Sequence, residues 1–197
     1  LTQGFIGSNA KFNTTTLGRE GSDFSAAIFA TSLNAESVTI WKDVPGVLNA
    51  DPKKFADTVL FDQLPYKEAA EMTFYGASVI HPKTIKPLAQ KGIPLYVKSF
   101  ENPHANGTLI NECVIPNLAP AIIHKGKQTV ISFKISDFSF INEQHIHLIF
   151  EHINRNHLTI NLMQNSAISF TICIDDNPVK REQLRMALKD DFLIYYN

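Results

Sequence analysis

Little in this sequence points to covalent staples, membranes or polyanions. It holds only two cysteines, Cys113 and Cys173, far apart and in unrelated contexts. That excludes a disulfide framework and suits a reduced chain. No apolar run approaches the ~20 residues that a membrane span needs, and the mean hydropathy is −0.06. There is no basic excess either: 18 Lys and Arg face 19 Asp and Glu, for a net charge of −1. A protein that tracks a phosphate backbone normally carries a basic excess or stripe, so neither nucleic acid nor a membrane is expected as a partner. Also missing are an initial Met and a charged start followed by an apolar signal core. The opening Leu1-Thr2-Gln3-Gly4-Phe5-Ile6-Gly7 reads instead like a strand running into a loop inside a protein. A piece of a longer, cytoplasmic chain is expected.

What is present is 197 residues, of which 44% are apolar, enough for one large domain or two small ones. Two styles of sequence meet near Pro116–Pro120. Before that junction, strand-like and helix-like segments alternate, as in α/β folds. Thr14–Gly18 is short and β-branched, and Ser22 is placed to cap a helix whose apolar face is Ala26, Ala27, Ala30 and Leu33. Val38–Trp41 reads as a strand that ends in the turn Asp43-Val44-Pro45-Gly46. Glu68–Tyr75 and Pro82–Lys91 read as helices, with strands at Leu95–Val97 and Thr108–Ile110.

After the junction the patterns are cleaner. Ile131, Phe133 and Ile135 alternate with polar residues, while Ile146, Ile149, Phe150 and Ile153 form the stripe of an amphipathic helix. Leu158, Ile160 and Leu162 alternate, as do Ile168, Phe170, Ile172 and Ile174, on either side of the polar hairpin Gln164-Asn165-Ser166. Asn177 caps a helix with Pro178 at its first position and an apolar face of Leu184, Ala187 and Leu188, before a last strand Phe192–Tyr196. The order β-α-β-β-α-β predicts a ferredoxin-like sandwich with helices on one face.

The segment Thr16-Leu17-Gly18-Arg19-Glu20-Gly21-Ser22-Asp23 sets a glycine turn against a helix N-terminus. Unpaired backbone N–H groups and the helix dipole favour an anion there, and Arg19 adds a planar fork for a carboxylate or phosphate. The plainer reading is a capped helix with a solvent-facing arginine.

The surrounding runs resemble the aspartokinases of the amino-acid kinase superfamily. They are Thr14–Arg19 with Gly21-Ser22-Asp23, Ile40-Trp41 with Asp43–Val47, and Asp51-Pro52. Glu68–Met72, Gly76–Pro82, Ile93-Pro94 and Gly107-Thr108-Leu109 follow. The resemblance covers roughly residues 1–112 in family order, and the tail from about Thr129 resembles the ACT regulatory domain that follows the kinase domain in that family. The implied fold class is α/β, the C-terminal half of an amino-acid kinase sandwich followed by a βαββαβ ACT domain. The implied domains are residues 1–116 of the catalytic domain, a linker with a short strand at 117–128, and a regulatory domain at 129–197, with a second ACT unit incomplete or missing.

The implied activity is phosphorylation of the β-carboxylate of L-aspartate by ATP and Mg2+, the first step toward lysine, threonine and methionine. Arg19 would pair with the aspartate α-carboxylate, and Gly21 and Ser22 would line the substrate and phosphate side of the turn. Asp23, the catalytic candidate, would hold cationic groups near the phosphates. Lys42, Asp43, Leu48 and Lys53 would flank the nucleotide, with Ser78 and Val79 a second contacting stretch. Several positions depart from the family pattern. Glu20 replaces a glycine, Lys42 a Thr or Ser, Leu48 a tyrosine, Lys53 an arginine and Ser78 a lysine, which leaves Lys42 to replace the cation absent at Ser78. The Lys-Phe-Gly-Gly type motif that opens the family's kinase domain has no match here, so this piece alone is expected to be inactive.

In the resembling ACT domains, the stretches corresponding to Asp137, Phe138 and Ser139 and to Asn161, Gln164, Asn165 and Ser166 bind an amino-acid effector across a subunit interface. Lysine or threonine is therefore implied as effector, and at least a homodimer. The rival reading is a non-catalytic amino-acid-binding module whose kinase half is only a scaffold. His145, His147, His152 and His157 show no helical i, i+4 metal-site pairing, so no metal ligand is assigned to them.

Overall fold

The computed structural model describes every residue except Arg19, Ala77, Ser78 and Phe138. The chain divides into two units, Leu1–His124 and Lys125–Asn197, and each buries a core of its own.

In the first unit, β1 (Ile6–Ser8) pairs antiparallel with β2 (Thr14–Thr16), and α1 (Gly21–Leu33) follows. The main sheet takes β3 (Val38–Lys42), β4 (Gln63–Pro65), then, after helices α2 (Tyr66–Tyr75) and α3 (Pro82–Lys91), β5 (Leu95–Ser99) and β6 (Thr108–Asn111). Its order is β3-β5-β6-β4, with β3 parallel to β5, β4 parallel to β6, and β5 antiparallel to β6. Val38, Ile40, Leu95, Val97 and Ile110 alternate along their strands and are buried with Ala27, Ile85 and Leu88 from the helices. Ala27 and Ala30 are small, which lets α1 lie close against α3.

The sequence pattern misplaces some features of this unit. The start of the chain is not a strand running into a loop but one half of a hairpin, because β1 finds its partner in the threonine run. Ser22 does not cap α1: it lies inside the first turn, and the cap position is Glu20 at φ 56°. Leu33 is exposed rather than part of the apolar face. β4 is too short, and too near a proline, to show alternation.

Gly107 joins β5 to β6 at φ 70°, and a Cβ there would lie 2.1 Å from the Val97 carbonyl oxygen. Only glycine combines that left-handed backbone with that approach. Residues 112–127, which include the stretch expected to hold a short strand, are turns and irregular backbone, and the next strand starts at Gln128.

The second unit runs β7 (Gln128–Lys134), α4 (Glu143–Arg155), β8 (Ile160–Asn165), β9 (Ser169–Asp175), α5 (Pro178–Leu188) and β10 (Leu193–Tyr196). The antiparallel sheet has the order β10-β7-β9-β8, the βαββαβ arrangement that the periodicity predicts. Ile131, Phe133, Ile172 and Ile174 meet Ile149, Ile153, Leu184 and Leu188 of the helices in one core. Val130, Leu193 and Tyr195 stand on the exposed side of the same strands. Asn142 and Asn177 cap α4 and α5 by accepting from the His145 and Lys180 amides at 3.1 Å each. Ile135 falls just past β7, and Ala187 is exposed.

Gly107→Ala is expected to lower the unfolding free energy by at least ~1–3 kcal/mol through overpacking and backbone strain together. Chemical denaturation of the purified protein measures it.

Candidate functional site

The turn after β2 brings the chain onto the N-terminus of α1. Gly18, at φ 82°, accepts from the Gly21 amide at 3.0 Å. Glu20 then adopts the left-handed conformation, which costs a non-glycine residue roughly 1–2 kcal/mol. This is the physical reason that a glycine suits that position. The ribbon ahead of the turn is tied down by Ser25, whose hydroxyl donates to the Gly21 carbonyl at 3.0 Å and accepts from the Phe5 amide at 3.0 Å. Gly21 is buried against Leu17 and Phe5, whereas Ser22 is exposed. Arg19 lies outside the described residues.

Asp23 stands in the first turn of α1 and is only 7% exposed. Its Oδ2 meets Lys42 Nζ, from the end of β3, at 2.6 Å, with the lysine side chain 21% exposed. Two sequence-predicted residues, nineteen positions apart, are therefore one charge-assisted contact. The carboxylate gains both the lysine and the positive end of the helix dipole.

From Lys42 the chain passes through the exposed Asp43 into a turn that lines a cavity of about 220 Å³. Its walls include the predicted Leu48, Lys53 and Val79, which the fold thus brings together, along with Val44, Gly46, Met72 and Gly76. The turn is held by the Val47 amide, which donates to the buried Thr108 hydroxyl at 2.8 Å. Asp51 accepts from the Lys53 amide at 2.9 Å and so fixes the Pro52-Lys53 corner. Ser78 lies outside the described residues. The sequence reading missed three further lining residues, Ile122, Ile123 and His124. They follow the Pro116–Pro120 junction, and no local periodicity marks them.

The described lining is largely apolar with Lys53 as its lysine, and Lys42, two residues before the lining Val44, is not itself among the lining residues, nor are Asp23 and Asp43. Among the described residues no three His, Cys, Asp or Glu side chains cluster to hold a metal ion. A Mg2+ ion would suit the site as part of a nucleotide complex, since Mg2+ commonly binds through phosphates and one or two carboxylates.

In the second unit, Asp137, Ser139, Gln164, Asn165 and Ser166 lie at one end of the sheet and are exposed. The Ile141 amide donates to the Ala167 carbonyl at 3.0 Å, tying the loop after β7 to the hairpin within one chain. The Asp137 carboxylate accepts from the Ser139 amide at 2.9 Å, and the Ser139 hydroxyl and amide hold its pKa below the ordinary value. Phe138 is outside the described residues.

Asn161 lies at the opposite end of β8, and its amide is already committed. It donates to Gln128 at 2.6 Å and to Asp175 at 3.0 Å, and accepts from Lys125 at 2.9 Å. Hydrogen bonds from Gln128 and Lys125 lead the causes that depress the Asp175 pKa.

The profile of the amino acid kinase family matches residues 1–99, and the chain belongs to that family. Within it, the matched relatives include aspartokinases. The chain is 37% identical over 180 residues to the lysine-sensitive aspartokinase 3 of Escherichia coli, covering 89% of this chain and 39% of that protein. It is 49% identical over 110 residues to a chloroplastic bifunctional aspartokinase/homoserine dehydrogenase 2 of Zea mays, covering 56% of this chain and 12% of that one. E. coli aspartokinase III in complex with aspartate and ADP superposes over 99% of this chain and 45% of its own, with TM-score 0.81 and 33% identity. The same enzyme in complex with lysine and aspartate gives TM-score 0.80 and 32% identity, with the same coverage. The chain thus spans less than half the length of these relatives.

Two outcomes test the site's electrostatics. Lys42→Met should destabilise the protein by ~1–3 kcal/mol in chemical denaturation, because it leaves a buried carboxylate without its partner. Adding Asp23→Asn should recover part of that loss. In the second unit, a depressed Asp175 pKa adds stability above the ordinary carboxylate value, ~3.9. That stability is lost as pH falls through the folded-state value. Asp175→Asn should therefore flatten the acid limb of stability below about pH 5. The effect should be small, since the Asp175 side chain is 59% exposed.

Proposed function

We propose that this chain supplies the nucleotide side and part of the aspartate side of an aspartate kinase, which transfers the γ-phosphoryl group of ATP to the β-carboxylate of L-aspartate. The observation that carries this reading is the Asp23–Lys42 pair. It sits at the N-terminus of α1, on the same β3 strand that leads into the cavity at Val44. The E. coli relative bound to aspartate and ADP adds support.

In the proposed step a β-carboxylate oxygen attacks the γ-phosphorus and the bond to the ADP oxygen breaks. The products are 4-phospho-L-aspartate and ADP. The attacking carboxylate is already ionised at neutral pH, so no strong base is needed. Catalysis is then positioning and charge stabilisation. Lys42 brings a cation that Asp23 holds in place, and it occupies a role that a lysine at position 78 would fill in the resembling enzymes. Leu48, Val79 and Met72 offer an apolar slot for the base, Lys53 a cation at its rim, and Asp43 a polar group beside the turn. Mg2+ would arrive with the nucleotide and neutralise phosphate charge. Arg19 would clamp the aspartate α-carboxylate, with Gly21 and Ser22 lining the turn.

The domain reading places the catalytic part at 1–116 and an ACT-type regulatory domain at 129–197. That regulatory domain is proposed to pair with a second copy and to bind an amino-acid end product, lysine or threonine, near Asp137–Ser139 and Gln164–Ser166. Lysine is preferred because the E. coli relative is a lysine-sensitive enzyme. The committed amide of Asn161 argues for moving that residue from ligand contact to support of the strand end.

Steady-state kinetics of the full-length protein separate these roles. Arg19→Ala should raise the KM for aspartate by about tenfold or more, since a charge-assisted contact is worth roughly 1.5–3 kcal/mol. Asp23→Ala should mainly lower kcat. An unchanged aspartate KM in Arg19→Ala would show the substrate pose to be wrong.

A further inference from the structure

The cavity at the loop after β3 is lined in part by a piece of chain that follows the kinase-like residues. The connector 118–124 returns to the loop after β3 and is fastened there. The Ile122 amide donates to the Asn49 carbonyl at 2.7 Å, and the Asn49 side-chain amide donates to the Pro120 carbonyl at 3.2 Å. Leu118, Ala119 and Ile123 pack on the first unit's core. The Lys54 ammonium contacts the His124 ring at Nδ1.

Asn49 is itself pinned. Its side-chain oxygen accepts from the Val59 amide at 2.7 Å, and its own amide donates to the Val59 carbonyl at 2.9 Å. The connector is therefore docked on a fixed strand-like corner, and Ile122, Ile123 and His124 line the cavity together with Leu48, Lys53 and Val79.

We infer that the connector 120–124 is part of the nucleotide site: Ile122 and Ile123 complete the apolar lining against the base, and His124, which holds the Lys54 ammonium, adds a polar group beside Lys53. This rests on the reading of the cavity as the nucleotide slot. The chemistry fits one end of a nucleoside di- or triphosphate. A cavity of about 220 Å³ falls below the ~300 Å³ where pockets for whole drug-sized ligands begin, so it suits a base while the phosphates extend outward. Among the described lining residues the acidic side chain is Asp51, which accepts a hydrogen bond from the Lys53 amide. Without the connector, one apolar wall of the slot would be solvent.

Hydrogen exchange on the full-length protein, with and without ADP, reads this directly. Peptides covering 48–53 and 120–124 should both exchange more slowly with ADP bound, whereas L-aspartate alone should leave 120–124 unchanged. Protection of 48–53 without 120–124 would overturn the inference and keep the nucleotide reading. Protection of neither would overturn both.

Calorimetry with ADP gives a second readout. Ile123→Asp should weaken ADP binding at least tenfold while aspartate affinity stays within about twofold, and Val79→Trp should weaken ADP binding as the control for the slot itself. Unchanged ADP affinity in Ile123→Asp beside a weakened Val79→Trp would contradict the connector's role. Unchanged affinity in both would remove the cavity as the nucleotide site.

Discussion

The contact between Asp23 and Lys42 joins the two halves of the candidate site. One charge comes from the first turn of a helix and the other from the last residue of a strand. The pair fixes the helix N-terminus to the strand end at 2.6 Å. Removing two charges from water is costly, and the cost is offset only when each finds a close partner. The glycine turn, the ribbon tied through Ser25 and the loop that lines the cavity all lead into or out of that contact. A shift of either element would expose an unpaired charge, so the pair makes the relative position of helix and strand a matter of electrostatics as well as packing.

Most of the second unit was legible in the sequence because β7 and β9 each have one buried and one open face, whereas β8 carries a register shift and exposes Leu162, so alternation fails there. Phe133 and Ile172 sit on the buried side and Val130 on the open one, so alternation carries the information. The same logic failed where packing depends on distant partners. β1 and β4 are three residues each and acquire their meaning only by pairing with the threonine run and with β6. Ser22 was a reasonable cap by residue type, but the turn closes two residues earlier, where Glu20 takes the left-handed backbone. Leu33 shows the limit of helical spacing, since it is the last residue of α1 and is exposed.

The candidate site was legible in part, and the division has a cause. Residues carried by a local motif, such as Asp23 in its turn and Leu48, Lys53 and Val79 in theirs, could be singled out from the resemblance. Their grouping could not, because it depends on the Asp23–Lys42 contact and on the folding of the loop onto Thr108. The connector residues Ile122, Ile123 and His124 carried no signal at all. They are an apolar pair and a histidine in a proline-flanked stretch, and only the return of the chain to Asn49 gives them a place. Asn161 illustrates the converse: a free amide by sequence is saturated once Lys125, Gln128 and Asp175 converge on it.

The proposed formation of an acyl phosphate on aspartate is tested most directly by trapping that product. Full-length protein incubated with L-aspartate, ATP, Mg2+ and hydroxylamine should form aspartyl hydroxamate in step with ADP release. The signal should vanish without L-aspartate and collapse in the Asp23→Ala variant. ADP release without hydroxamate, or no hydroxamate from folded protein that binds both aspartate and ADP, would contradict the account.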